Sequence, residues 1–251
     1  MIRSLYTVNR NMNILQKKQE NNSANIANVN TPGYKFQDIV QSTLEPSVMV
    51  NYAGGREMNQ RRQLGDFVFG NQIDEVYRNF EQGNLSQSDR DTDLAIVGNG
   101  FFTVEMNNGQ VAFTRNGNFR INDQNELVTM EGYRVMGVND NGQTSYITVN
   151  NDNLNVDNTG RIAGQNLSIL ISDFADYTNL NNIGSTLFIS EQGQNIIQGE
   201  LRQGYLEMSN VKVADEMVKM IQISREFESN QKLLHTADST LSKAVNEIGR
   251  V

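Results

Sequence analysis

From Ser209 to Gly249 the chain contains no proline and no internal glycine, and apolar residues recur every seven positions at Val213, Met220, Phe227, Leu234, Leu241 and Ile248. Ile223, Asn230, Ala237 and Ala244 follow the middle four of these by three. Alternating steps of three and four keep a narrow stripe on one side of an α-helix, the pattern of a coiled-coil seam. At ~1.5 Å per residue, about 40 helical residues make a rod of roughly 60 Å. A lone helix of this kind is only marginally stable in water, so its seam must pack on something.

The opposite end of the chain supplies a partner. Leu5, Met12, Gln19 and Ile26 are spaced by seven, and Val8, Leu15, Asn22 and Val29 follow each by three. This pattern runs into Asn30-Thr31-Pro32-Gly33, where Pro removes a backbone donor and Gly permits a turn. The simplest reading pairs the two ends as a coiled coil, with one another, with copies from other subunits, or both.

The middle reads differently. Pro46, Gly54-Gly55, Arg61-Arg62 and Gly65 interrupt any long periodicity between 36 and 84, although 66–70 and 73–77 alternate like short strands. We read this segment as an extended connector. Over 85–208 the pattern is β, with short aromatic and branched runs at 101–106, 110–114, 118–121 and 133–138. Asn108-Gly109, Asn116-Gly117 and Asn141-Gly142 predict two-residue type I′ hairpin turns, because both central positions of such a turn need positive φ. The run from Phe119 to Val128 echoes Leu154 to Ala163 in apolar spacing, which predicts two similar hairpins. The expected fold class is therefore α+β: long terminal helices forming a coiled-coil domain (1–35 with 209–251), an extended connector (36–84) and a central all-β domain (85–208).

Composition narrows the function. The 251 residues suffice for one or two domains, and 37% hydrophobic content is enough for a core but lean, so part of the chain is expected to fold against neighbours. With no cysteine there is neither a disulfide framework nor a thiolate metal site. A net charge of -8 repels phosphate backbones and anionic lipid, which argues against nucleic-acid and membrane-surface partners. No apolar run approaches the ~20 residues of a membrane span, and the N-terminus has no signal-peptide core. A soluble chain is expected, leaving the cytoplasm, if it does, without a cleaved signal.

Reactive chemistry finds little support. The single histidine, His235, lies one step off the C-terminal seam and reads as a solvated helix residue. The acidic run Asp89 to Asp93 lacks the glycine and distal glutamate of a Ca²⁺ loop. Gly98-Asn99-Gly100 is followed by a strand-like run and lacks the third glycine of a dinucleotide fingerprint, so it reads as a turn between strands. No spacing singles out a pair of carboxylates. No catalytic residue, metal or cofactor is expected.

Four segments carry a family resemblance. The run Asn22 to Lys35, NSANIANVNTPGYK, resembles the N-terminal signature of the flagellar rod and hook family. Asp93 to Phe102 and Phe113 to Phe119 are similar to its central motifs, and Gln203 to Val211 to its C-terminal one. Glu216-Met217-Val218, Arg225 to Glu228 and Asn230-Gln231-Lys232 also fit. The resemblance implies a structural subunit of the bacterial flagellar basal-body rod in the cell envelope, exported by the flagellar type III apparatus. Its terminal helices would line the inside of a helical tube, and its β domain the outside. The implied partners are copies of itself and other axial proteins of the flagellum. The length is closer to rod than to hook subunits.

A candidate subunit interface follows from seam and signature together: Leu5, Val8, Met12, Leu15, Asn22, Asn25, Ile26, Asn28, Thr31, Pro32, Gly33 and Tyr34 at one end, and Val213, Met220, Ile223, Phe227, Leu234, Ala237, Leu241, Ala244 and Ile248 at the other. The alternatives are a hook-type subunit, a secreted binding or adhesion module whose helices merely oligomerise it, or a wall hydrolase. The last lacks a credible acid–base pair.

Overall fold

The computed structural model describes residues 2–53, 60–149 and 154–248. It divides into two compact units, one built from the chain through Ala24, Gln37–Tyr77 and the chain from Val213, the other from Asn25–Phe36 and Arg78–Lys212.

In the first unit, helix α1 begins at Ile2 and continues to Ala27, past the end of the unit, and helix α2 spans Val213–Lys243. Glycine and proline are absent from both, and the first turn of α2 carries Asp215 and Glu216, favourable at a helix N-terminus. The α-helical part of α2 is 31 residues, short of the 40 expected, because it starts at Val213 rather than near Ser209 and the chain shifts to π spacing over Ala244–Ile248. Asn11 Nδ2 donates to Glu226 Oε1 at 3.1 Å, and Asn22 Nδ2 donates to the Glu216 carbonyl at 3.2 Å. Rising numbers on one helix meet falling numbers on the other, so the two run antiparallel.

The connector is more ordered than an extended link. It folds as two ribbons, β1 (Gln37–Thr43) with β4 (Asn71–Arg78), and β2 (Ser47–Ala53) antiparallel to β3 (Gln60–Phe67). The run expected at 66–70 stops early, β3 ending at Phe67, whereas β4 covers the run expected at 73–77; Gly70, at φ +117, lies between the two strands, and its carbonyl receives Leu44 N–H at 2.9 Å. Pairing across such separations leaves no local periodicity to read.

The second unit is β-rich. After β5 (Leu85–Gln87) and β6 (Leu94–Val97) comes the central strand β7 (Phe101–Glu105). Its antiparallel neighbours are β8 (Val111–Thr114), β11 (Arg134–Asn139) and β14 (Ile171–Asp173). The sheet continues through β9 (Phe119–Ile121) and β10 (Leu127–Thr129) on one side of β11. β12 (Thr144–Tyr146) and β13 (Leu167–Ile169) also pair with β11, while β15 (Leu180–Ile183), β16 (Leu187–Ser190) and β17 (Asn195–Ile197) extend the other side. β18 (Glu200–Gln203) returns to β6, and β19 (Tyr205–Glu207) to β5. The main core includes Leu94, Phe102, Val104, Phe119, Leu127, Val135 and Ile171, and a second aromatic cluster joins Phe101, Phe113, Phe174 and Phe188.

Turn chemistry departs from the type I′ expectation. At Asn108-Gly109 and Asn141-Gly142 only the glycine has positive φ, +79 and +77. These are three-residue loops, closed by Gly109 N–H to Met106 O and Gly142 N–H to Asn139 O at 2.9 Å each. The same loop recurs at Asn122–Glu126, with Asn125 at φ 61, and at Asp157–Arg161, with Gly160 at φ +83. These two are the echoed hairpins. Asn116-Gly117 is not a hairpin turn: a Cβ on Gly117 would lie 1.6 Å from the Leu94 carbonyl oxygen, so the glycine is required by close backbone approach.

Candidate functional site

In the β-rich unit, the sequence signatures converge on one buried carboxylate. Glu207 ends β19, and its side chain is 1% exposed. Lys35 Nζ lies 2.6 Å from Oε1 and Arg115 Nη1 lies 3.1 Å from Oε2. Gly83 N–H donates to Oε1 at 3.0 Å. Lys35 also donates to the Glu81 carbonyl at 2.7 Å and Arg115 to the Gly98 carbonyl at 2.6 Å, with the guanidinium carbon 5.4 Å from the Phe101 ring centre. Burial pushes both cations' pKa values down, and Glu207 is the main force holding them up.

The turn ahead of Lys35 is fitted to the same place. Gly33 has φ +72, donates its N–H to the Glu207 carbonyl at 2.8 Å, and a Cβ there would sit 2.3 Å from Asn116 N. Buried Tyr34 donates its hydroxyl to Asn25 Oδ1 at 3.1 Å. Asn210 closes the far side, donating to the carbonyls of Asn79 and Glu81 and accepting Phe36 N–H at 2.7 Å. Such a network fixes one arrangement of the chain segments that carry Lys35, Glu81, Gly98, Arg115 and Glu207.

The candidate interface residues divide between the two units. In the helical unit, Leu15 and Asn22 are buried and Leu5, Val8 and Met12 half-buried on α1. Val213, Met220, Ile223, Phe227, Leu234, Ala237, Leu241 and Ala244 are all half-buried on the C-terminal helix. The side chain of Ile248 lies outside the described residues. In the β-rich unit Asn25, Gly33 and Tyr34 are buried inside the chain, while Ile26, Asn28, Thr31 and Pro32 are half-buried. Ile14, Glu216, Lys35, Arg115, Glu207 and Asn210 were not selected by spacing, although all but Ile14 lie inside the quoted motifs. Glu207, a lone charge between Leu206 and Met208, carries the one local hint.

Among the described residues, no group of three or more His, Asp or Glu could hold a metal ion. The same helical unit exposes many large apolar side chains, including Tyr6, Val48, Tyr52, Leu64, Val76, Met217, Val218, Ile221 and Leu233.

Comparison with known proteins matches three family models in order along the chain. They are "Flagella basal body rod protein" over residues 5–35, "Flagellar hook protein FlgE/F/G D1 domain" over 95–164, and "Flagellar basal body rod FlgEFG protein C-terminal" over 202–247. The flagellar basal-body rod protein FlgG of Borreliella burgdorferi is 36% identical over 98% of both chains. FlgG of Bacillus subtilis is 32% identical over 98% of this chain and 99% of its own. The flagellar hook-basal body complex protein FlhO of Bacillus subtilis is 30% identical over the whole of both.

Proposed function

The chain belongs to the flagellar basal-body rod protein family and is a structural subunit of the rod in the basal body of the bacterial flagellum; on that premise we propose that its terminal helices drive self-assembly. The observation that carries this reading is the apolar surface left open on the helical unit, including Met217, Val218, Ile221 and Leu233 on α2. Contiguous exposed apolar surface marks a protein interface. Seam positions that are half-buried in one chain become fully buried when neighbouring helices complete a coiled coil. Each Leu, Phe or Met so buried contributes ~1.5–3 kcal/mol, enough collectively to offset the ordering cost of assembly.

Copies of the chain and other axial proteins are the proposed partners, with delivery through the flagellar type III export apparatus. The role is mechanical: interlocked subunits pass torque along the rod, with no reaction, cofactor or metal involved. The test is the double variant Leu234→Glu/Leu241→Glu in the full chain. Sedimentation should show loss of polymer and a complemented strain should lose motility, while the β-sheet circular dichroism signal persists. Normal incorporation of the double variant into flagella would refute the proposal.

A further inference from the structure

The sequence contains four Asn-Gly steps, Asn99-Gly100, Asn108-Gly109, Asn116-Gly117 and Asn141-Gly142, and the fold restrains them unequally. An asparagine followed by glycine is chemically labile, because no side chain on the next residue hinders attack of its backbone nitrogen on the asparagine amide carbon. In a folded chain the rate depends on what holds that nitrogen and that amide. Gly109 and Gly142 donate their N–H groups to the Met106 and Asn139 carbonyls at 2.9 Å each. Asn108 is held further, its Oδ1 accepting Gln110 N–H at 3.0 Å. Asn116 is half-buried and its Oδ1 accepts Asn118 N–H at 3.0 Å, while the Gly117 carbonyl accepts Leu94 N–H at 3.0 Å. Asn99 differs on each count. It is exposed in the turn between β6 and β7, and among the described residues neither its side chain nor Gly100 N–H makes a hydrogen bond. The restraints of that turn fall on its neighbour: Gly98 N–H donates to Gln82 Oε1 at 3.0 Å, and the Gly98 carbonyl accepts Arg115 Nη2 at 2.6 Å.

We infer that Asn99 is a site of spontaneous deamidation, with solvent water and hydroxide as the only co-reactants. Hydroxide takes the Gly100 amide proton, and the nitrogen attacks Asn99 Cγ. The new N–Cγ bond displaces Nδ2, which takes a proton from water and leaves as ammonia, closing a succinimide ring. Water then adds to either ring carbonyl. Breaking the N–Cγ bond gives aspartate, and breaking the bond from that nitrogen to the Asn99 backbone carbon gives isoaspartate. No atom is oxidised or reduced. Either product adds a carboxylate to a chain of net charge -8, and isoaspartate also lengthens the backbone beside the carbonyl that Arg115 holds. Nothing in this chemistry depends on the rod-subunit reading.

The full chain is incubated in mildly alkaline buffer, folded and in urea, and digested for mass spectrometry, with fragment ions separating the four sites. Having to open a turn hydrogen bond before attack slows the step by about fivefold, so in the folded chain Asn99 should lead every other site by at least about that factor. In urea the restraints vanish, and the rates should fall within about threefold of one another. Asn99→Gln, an exposed substitution, should remove the early acidic species seen by isoelectric focusing. A folded chain in which another Asn-Gly step keeps pace with Asn99 overturns the proposal. So does a lead of the same size in urea, because neighbouring sequence rather than the fold would then set it. An early acidic species that survives Asn99→Gln overturns it as well.

Discussion

Glu207→Gln should be the most damaging conservative change in the β-rich unit. The substitution keeps the side chain's shape and removes the negative charge between Lys35 and Arg115, whose side chains are 1% and 3% exposed. Two buried cations then remain, each with one carbonyl acceptor, from Glu81 and Gly98. Removing one partner of a buried ionic network costs ~3–5 kcal/mol, because the remaining charge is uncompensated. At ~2–4 °C per kcal/mol for a body of this size, the melting temperature falls by about 10 °C. The deficit also depends on pH. Burial lowers the Lys35 pKa in the folded state, and Glu207 is what chiefly opposes it, so the variant lowers it further. Between that lowered pKa and the unfolded value near ~10.4, the unfolded chain binds more protons than the folded one, so stability of the variant rises with pH. Calorimetry of parent and variant from neutral pH toward that value should show the gap narrowing. A variant melting within about 2 °C of the parent at neutral pH would refute the reasoning.

Three further outcomes follow from single contacts. Gly33→Ala places a Cβ 2.3 Å from Asn116 N at φ +72, so urea unfolding should show a loss of at least about 2 kcal/mol. Asn22→Leu removes the buried amide donor to the Glu216 carbonyl and should cost about 1 kcal/mol, measured by thermal loss of far-ultraviolet ellipticity. The Tyr177 phenol is pushed up to about 12 by burial and its hydrogen bond to Asp173. Its contribution to stability is therefore complete below the unfolded value near ~10 and is lost as pH climbs through the folded one. Ultraviolet titration of the parent should contain a late-titrating component that Tyr177→Phe removes.

The less exposed stripe of the C-terminal helix was legible because a helix reports such a side locally. Every described C-terminal position selected by the spacing of seven and three is half-buried or, at Asn230, buried, while Met217, Val218 and Ile221, apolar but off that register, are exposed. The hairpin echo was legible for the same reason: both loops close within five residues around Asn125 and Gly160. Turn class was less so, because Asn-Gly in the sequence does not reveal whether the Asn also adopts positive φ. The β1–β4 ribbon joins strands separated by a long excursion and leaves no periodic trace. Least legible from spacing was the network around Glu207, whose bond to Lys35 spans 172 positions. The family motifs marked its residues without indicating that they meet.

The two units are stabilised by different physics, and that difference suits a subunit that must exist before its neighbours do. The β-rich unit closes on itself: its apolar strands share one core, and its buried Lys35 and Arg115 find their counter-charge at Glu207 within the same chain. Its folding therefore does not need a second molecule. Among the described residues, neither apolar cluster includes a residue of the helical unit. Leu15 and Ile14 are its buried apolar anchors on α1, and the buried residues of α2 are polar, Glu216 and Asn230. Two-stranded ribbons such as β2–β3 are at best marginal alone, and here they carry exposed Val48, Tyr52 and Leu64. Stability missing from such a unit can be supplied by mass action from identical surfaces, which makes its order a function of subunit concentration. Under the self-assembly proposed above, a growing rod would concentrate those surfaces at its tip, and the helical unit would gain its full stability where incorporation takes place.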